Sequence, residues 1–290
     1  MDKMKDLQIK RRFKNYLPNL VSDILKLICV IIFVFPFYWM FITAFKTYNE
    51  AILTPPTLWP RNFTFQSFID IVNMEISFGR FAFNSVVVTA SIIVMQLLIM
   101  VPAAYAFAKR KFFGKGLCWS IVLVAFMIPG QVTYIPIYLM MAKARMINSL
   151  WPQILPFATN SFGIFMLRQA FMGVDESYLD AARVDGMGKL GVIFRIMVPM
   201  CKPTLVTMVL MSFIGGWNTY FWPSIIANDS VNVRVLTLGL MHLKQSFSGE
   251  SIRNYHEIMA GALISILPVL VMFAIFQKQM LSGYTKAAMK

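Results

Sequence analysis

Residues 176–204 read ESYLDAARVDGMGKLGVIFRIMVPMCKPT, and this stretch differs from everything around it. It carries Glu176, Asp180, Arg183, Asp185, Lys189, Arg195 and Lys202, whereas the flanking sequence is apolar enough for lipid. The helix formers Leu179 to Arg183 run into Asp185-Gly186, where glycine supplies the backbone freedom of a turn. A second run with helical period follows at Leu190, Ile193, Phe194 and Met197, and Pro199 and Pro203 close it. The spacing predicts a helical hairpin presenting small residues, Ala181, Ala182 and Gly186, beside Glu176, Asp180 and Asp185. Glu176 and Asp180 lie four apart, on one helix face. Such a knob suits docking to another protein: the carboxylates meet basic residues there, and the alanines let the backbone come close.

Outside the hairpin the chain is built for a membrane. Of its 290 residues, 58% are hydrophobic and 14% charged, against about 25% charged in ordinary soluble domains. The mean hydropathy is +0.65. Crossing a hydrocarbon core of roughly 30 Å takes about 20 apolar residues. Six segments qualify, near 27–45, 81–108, 117–141, 150–167, 203–227 and 258–277, and none holds an Asp, Glu, Lys, Arg or His in its interior. The reading is an all-α polytopic membrane protein with six transmembrane helices.

The net charge of +14 carries a topology. Nineteen of the Lys and Arg residues fall in the N-terminal tail, the 109–116 loop, the 168–202 segment and the C-terminal tail. The other face keeps eight: Lys46, Arg61, Arg80, Lys143, Arg145, Arg234, Lys244 and Arg253. The positive-inside rule then puts both termini and the hairpin in the cytoplasm of a cell-membrane protein. The basic excess reads as an orientation signal with affinity for anionic lipid, not nucleic acid. The apolar run after Lys3 to Lys14 is too long for a signal peptide and lacks a small-x-small cleavage site, so an uncleaved first span is expected. Cys29, Cys118 and Cys201 are odd in number and far apart, which argues against structural disulfides.

The chain therefore divides into a basic cytoplasmic segment, 1–26, with an interfacial helix expected from Tyr16 to Lys26, and a first span, 27–46, bent at Pro36. An external loop, 47–80, follows. The transmembrane core, 81–281, contains the hairpin 173–202 and an external loop 228–257, and a short cytoplasmic tail spans 282–290.

Several motifs also carry a resemblance. Asp180-Ala181-Ala182 with Gly186 and Ile196-x-x-Pro199 resembles the EAA loop of ABC importer permeases, the coupling helix that seats in a cleft of the ATP-hydrolysing subunit. The extended form, Ala181 to Gly186 with Pro199-x-x-Lys202-Pro203, is similar to the carbohydrate-uptake branch and its maltose-type G subunit. Pro36 to Met40, Ala104-Tyr105-Ala106, Phe162 to Phe165, Leu167-Arg168-Gln169, Gly216-Trp217-Asn218 and Gln277 to Gly283 fall where that family has them. Asp180 replaces the usual Glu, and Tyr284 to Lys290 replaces a small, Gly-rich tail. The resemblance implies a non-catalytic permease subunit of a binding-protein-dependent importer for a sugar, oligosaccharide or polyol derivative such as glycerol phosphate. It implies as partners a second homologous permease, an ATP-binding cassette ATPase dimer on the coupling residues Glu176, Asp180, Ala181, Ala182, Asp185 and Gly186, and an extracytoplasmic solute-binding protein. It also implies a core of the last five spans with the first span peripheral. ATP belongs to the ATPase subunits; this chain has no phosphate-cradling GxxxxGK[ST] loop and no cofactor of its own.

Candidates for a translocation path come from polar residues within the spans. Asn160 lies near the middle of span four, spaced to share a face with Pro156 and Gly163. Gln131 follows the helix-breaking Pro129-Gly130, and Trp217-Asn218 sit deep in span five, where rings stack on sugar C–H faces and amides bond sugar hydroxyls. Interhelical hydrogen bonding explains such amides equally well, and Trp222 reads as an interfacial anchor. His242 and His256 lack a set of ligands at metal spacing. The alternative class, an ion- or proton-coupled secondary transporter, requires intramembrane carboxylates or histidines that the span interiors lack.

Overall fold

Every regular element among the described residues is helical, as segments with no exposed polar backbone must be in lipid. The structure is a computed structural model describing residues 2–73, 78–227, 230–246 and 254–288, with side chains from Val21 to Leu243 and from Asn254 to Gln277 within those ranges. It divides into two units, residues 1–71 with 247–263, and residues 72–246 with 264–290.

In the first unit α1 (Asp2–Ala44) runs without a break. The expected interfacial helix from Tyr16 to Lys26 is therefore not separate but continuous with the first span, and the helical assignment runs through Pro36. Each proline removes one donor, and apolar residues on both sides continue the helix past it. After the short α2 (Tyr48–Ala51) the chain loops to α3 (Gln66–Asn73). Phe45 anchors this loop by packing against Phe41, Phe63, Phe65 and Phe68. Lys46, 1% exposed, lies 4.9 Å over the Trp39 ring and donates to Thr57 O at 2.5 Å. The Thr57 hydroxyl in turn donates to Glu50 at 2.7 Å, and Arg61 N–H donates to the same carboxylate at 2.8 Å.

The second unit is organised on α4 (Phe78–Lys109). Its 32 residues span about 48 Å at 1.5 Å each, well beyond a core of roughly 30 Å, so its last turns have protein rather than lipid to pack on. Next come α5 (Lys115–Met127) and α6 (Gly130–Lys143), then α7 (Trp151–Ile154) with a 3-10 turn at Leu155–Phe157, and α8 (Ser161–Met172). The chain continues through α9 (Glu176–Val184), α10 (Lys189–Gly191), a π-helical turn (Val192–Met197), α11 (Val198–Met200), α12 (Lys202–Trp217) and α13 (Phe221–Ile226). After α14 (Leu236–Ser246) comes α15 (Tyr255–Ala288), which the unit division cuts after Leu263. A Cβ on Gly163 would fall 2.2 Å from Met100 Sδ, so α8 lies against α4 at a separation only glycine permits without moving that methionine.

Among the described residues, three helical stretches are long and apolar enough to cross a membrane: Val21–Ala44, Phe78–Lys109 and Tyr255–Gln277. Two bent pairs bring the number to at most five, where composition had led to six. The third expected span is α5 and α6, bent by 102° at Ile128-Pro129, a break sharper than a packing kink. The fifth is displaced toward the N-terminus: Lys189–Met200 meets Lys202–Trp217 at 86°, and α12 stops at Trp217 instead of reaching 227. The fourth, 150–167, is not one helix. Pro152 and Pro156 each lack an amide donor, and Asn160 takes extended dihedrals to start α8 afresh. Residues 228–229 and 247–253 of the expected external loop, and 289–290 of the tail, lie outside the described residues.

Candidate functional sites: an exposed hairpin and a mid-helix chamber

Within the charged stretch 176–204 the chain folds as α9, a turn at Asp185-Gly186 and the helical run that starts at Lys189. Asp175 caps α9 by accepting from Ser177 N–H at 2.8 Å, and that backbone amide holds its carboxyl below the usual range. The helix ends at Asp185, and Gly186 takes the left-handed conformation (φ 73°) that costs glycine nothing. Met187 N–H then donates to Ala182 O at 2.9 Å and closes the turn.

Its two faces differ. Leu179, fully buried, and Ala182 face inward with Val192, Ile193 and Met197, in one continuous core with Met100, Ala104 and Tyr105 of α4 and Leu167 and Phe171 of α8. The outer face exposes Ala181, Asp185, Gly186 and Val184, the last at 87%. Ala182 thus permits close packing inside the chain, and of the three small residues expected to face a partner, Ala181 and Gly186 are exposed. Both carboxylates already have partners. Glu176 pairs with Lys109 at 2.9 Å, and that lysine also donates to Val174 O at 2.7 Å. Asp180 pairs with Arg183 at 2.7 Å. Arg168 donates to Phe107 O at 3.2 Å and lies 4.2 Å over Trp119, tying α8 to the end of α4.

The chamber lies about 20 Å back along α4 from Lys109, at 1.5 Å per residue. It is a partly open cavity of about 270 Å³ between α4, α6, the break before α8 and the end of α12. Gln96, buried, donates to Phe157 O at 2.8 Å and accepts from the Ser212 hydroxyl, so a single amide ties three elements together. Asn160 caps α8 by accepting from Gly163 N–H at 3.1 Å. Tyr134 lines the chamber with its ring near Phe221 and Trp222, and Gly215, Gly216 and Thr219 complete the wall.

Polar side chains also clamp the 3-10 turn at Val231–Val233 and the start of α14. Asn84 donates to Asn232 O and Arg234 O at 2.8 and 2.9 Å. Gln153 donates to Val233 O at 2.7 Å, and Ser85 accepts from Leu236 N–H at 2.8 Å. Trp222, 1% exposed, donates to Pro152 O at 2.8 Å, so it is a buried strut and not an interfacial anchor.

A profile of binding-protein-dependent transport system inner membrane components matches residues 12–282. The chain belongs to that family. It is 29% identical over 259 residues to the arabinooligosaccharides transport system permease protein AraQ of Halalkalibacterium halodurans, covering 89% of this chain and 91% of that relative. It is 30% identical over 286 residues to the diacetylchitobiose uptake system permease protein DasC of Streptomyces coelicolor, covering 96% and 98%. In fold it is similar to a chain of a bacterial ABC transporter involved in the import of the acidic polysaccharide alginate. There the TM-score is 0.80 at 21% identity, covering 91% of this chain and 97% of that one.

Of the path residues read from the sequence, this inner membrane component places Asn160 in the chamber wall and the other three outside it. Gln131 is exposed on the first turn of α6, one turn before Tyr134. Trp217 packs inward on Phe213 and donates to Ser265 O at 2.9 Å. Asn218 is exposed at the end of α12, next to Thr219, which does line the wall. Gln96 and Ser212 escaped the sequence reading although Gln96 is the amide nearest the middle of the second span, the kind of signal used for Asn160.

Proposed function

We propose that this chain is the transmembrane permease subunit of an ATP-driven, binding-protein-dependent importer of a sugar or oligosaccharide. It crosses the cell membrane six times with both termini in the cytoplasm, α7 to α8 and the bent pairs completing the count. A second, homologous permease closes the translocation path, and a solute-binding protein delivers substrate to the external loops. The ATPase dimer docks on the exposed face of the hairpin at Ala181, Asp185 and Gly186, with Glu176 and Asp180 at its margin.

The observation that carries this reading is the continuity of the hairpin's inner face with the core of α4 and α8. A close-packed interior transmits displacement instead of absorbing it. Movement of the ATPases therefore tilts α4 and α8 together with the hairpin and switches the chamber between the two sides. In proteoliposomes holding the whole complex and its binding protein, uptake stops without ATP and survives collapse of the pH gradient. Gradient-driven uptake by this chain without ATPase would refute the reading.

A further inference from the structure

We infer that the chamber is a subsite for an uncharged, hydroxyl-bearing solute, taking one neutral sugar ring at a time; this rests on the importer reading above. The wall offers hydrogen-bonding groups of both senses and no Asp, Glu, Lys, Arg or His among its described lining residues. Asn160 uses its carbonyl oxygen to cap α8, which leaves its NH2 group as a donor for the chamber. Thr219 and Tyr134 add hydroxyls that both donate and accept. Gln96 and Ser212 are bonded to each other, so the floor is already set and needs no rearrangement when a ligand arrives. Tyr134, packed near Phe221 and Trp222, also brings an aromatic ring to the lining, a group that sugar C–H bonds can contact.

An anion fits this wall badly. A uronate or phosphate ester entering it sheds water, and no lining cation replaces the lost hydration. The nearest basic group described on α4 toward the hairpin is Lys109, about 20 Å along the helix axis from Gln96 and already engaged by Glu176 and Val174 O. A volume of about 270 Å³ falls just under the roughly 300–1,000 Å³ of drug-sized sites, enough for one ring and too small for an oligosaccharide to lie flat. A longer neutral chain passes through ring by ring.

The test uses proteoliposomes of the complete transporter with its binding protein, and three labelled probes: arabinotriose, diacetylchitobiose and an alginate trisaccharide. The expected result is ATP-dependent uptake of a neutral probe and none of the alginate trisaccharide. Asn160→Asp keeps the cap acceptor for Gly163 N–H but removes the NH2 donor and adds a negative charge. Tyr134→Phe removes only a hydroxyl. Each should raise KM for the neutral probe, Asn160→Asp by about tenfold, with the binding protein's own affinity unchanged because that protein is untouched. Uptake confined to the alginate trisaccharide, or a neutral KM that neither variant moves, overturns the subsite. Failure of all three probes, with ATP hydrolysis unresponsive to the binding protein, overturns the importer reading itself.

Discussion

Glu50 shows how one side chain holds an irregular loop. Burial opposes its charge, yet the Thr57 hydroxyl, the amides of Arg61 and Asn62 and the nearby Lys46 ammonium outweigh that and hold its carboxyl below the usual range. Because the folded value is depressed, the stabilisation is complete above the unfolded value of about 4.3 and is lost as pH falls through the lower folded value. Thr57→Val removes one donor, so the carboxyl titrates closer to its ordinary value and the loop opens at higher pH. Limited proteolysis of residues 54–61 against pH should report a midpoint displaced upward; an unmoved midpoint means the hydroxyl does not tune Glu50. Gln96 is the counterpart in the second unit. Gln96→Leu keeps much of the volume but strands Phe157 O and the Ser212 hydroxyl, at a cost of about 1–3 kcal/mol, read as a lowered melting temperature of the purified complex. A variant as stable as the parent would show that water replaces the amide. The sequence made the amide visible but not its partners, since Phe157 and Ser212 are 61 and 116 residues away.

At the scale of the element, the hairpin has two alanines of opposite consequence. Ala181 is exposed and Ala182 is buried against α4 and α8. Ala181→Asp should therefore give a protein that inserts and folds but fails to hold its ATPase, lowering uptake tenfold or more, equivalent to about 1.4 kcal/mol of lost coupling. Ala182→Asp puts an unpaired charge into a core and should reduce the amount of folded protein before coupling is ever tested. Leu179→Ala opens a cavity under the hairpin at a cost of about 2–5 kcal/mol; it should leave ATPase docking intact while hydrolysis runs without uptake. Equal behaviour of the two aspartate variants, in membrane abundance and ATPase co-purification, would mean the two faces are not distinct. The sequence located this hairpin because seven charged residues in an apolar chain cannot be buried. It could not say which alanine faces inward, because one step along a helix turns a side chain by about 100° and both are equally small.

For the whole molecule, orientation follows from charge and should be checked before any mechanism. A reporter within residues 109–116 or after Lys290 should be active only in its cytoplasmic form, and one at Gly249 only in its external form. An external C-terminus would break the six-span arrangement. The sequence by itself determined that the chain is helical and membrane-borne and where its charged stretch interrupts the apolar segments, because these depend on transfer of side chains between water and lipid, a sum over local composition. It marked breaks at Pro129 and at Gly186 for the same local reason, through proline's missing donor and glycine's backbone freedom. Tertiary structure alone decided that span four is interrupted at Asn160, that α12 stops at Trp217, that Trp222 is buried, and that Asn160, Gln96, Ser212, Tyr134 and Thr219 meet around one chamber. Those outcomes hinge on backbone carbonyls left unpaired at one break and satisfied by side chains from a distant helix, and no window of sequence contains both halves of such a bond.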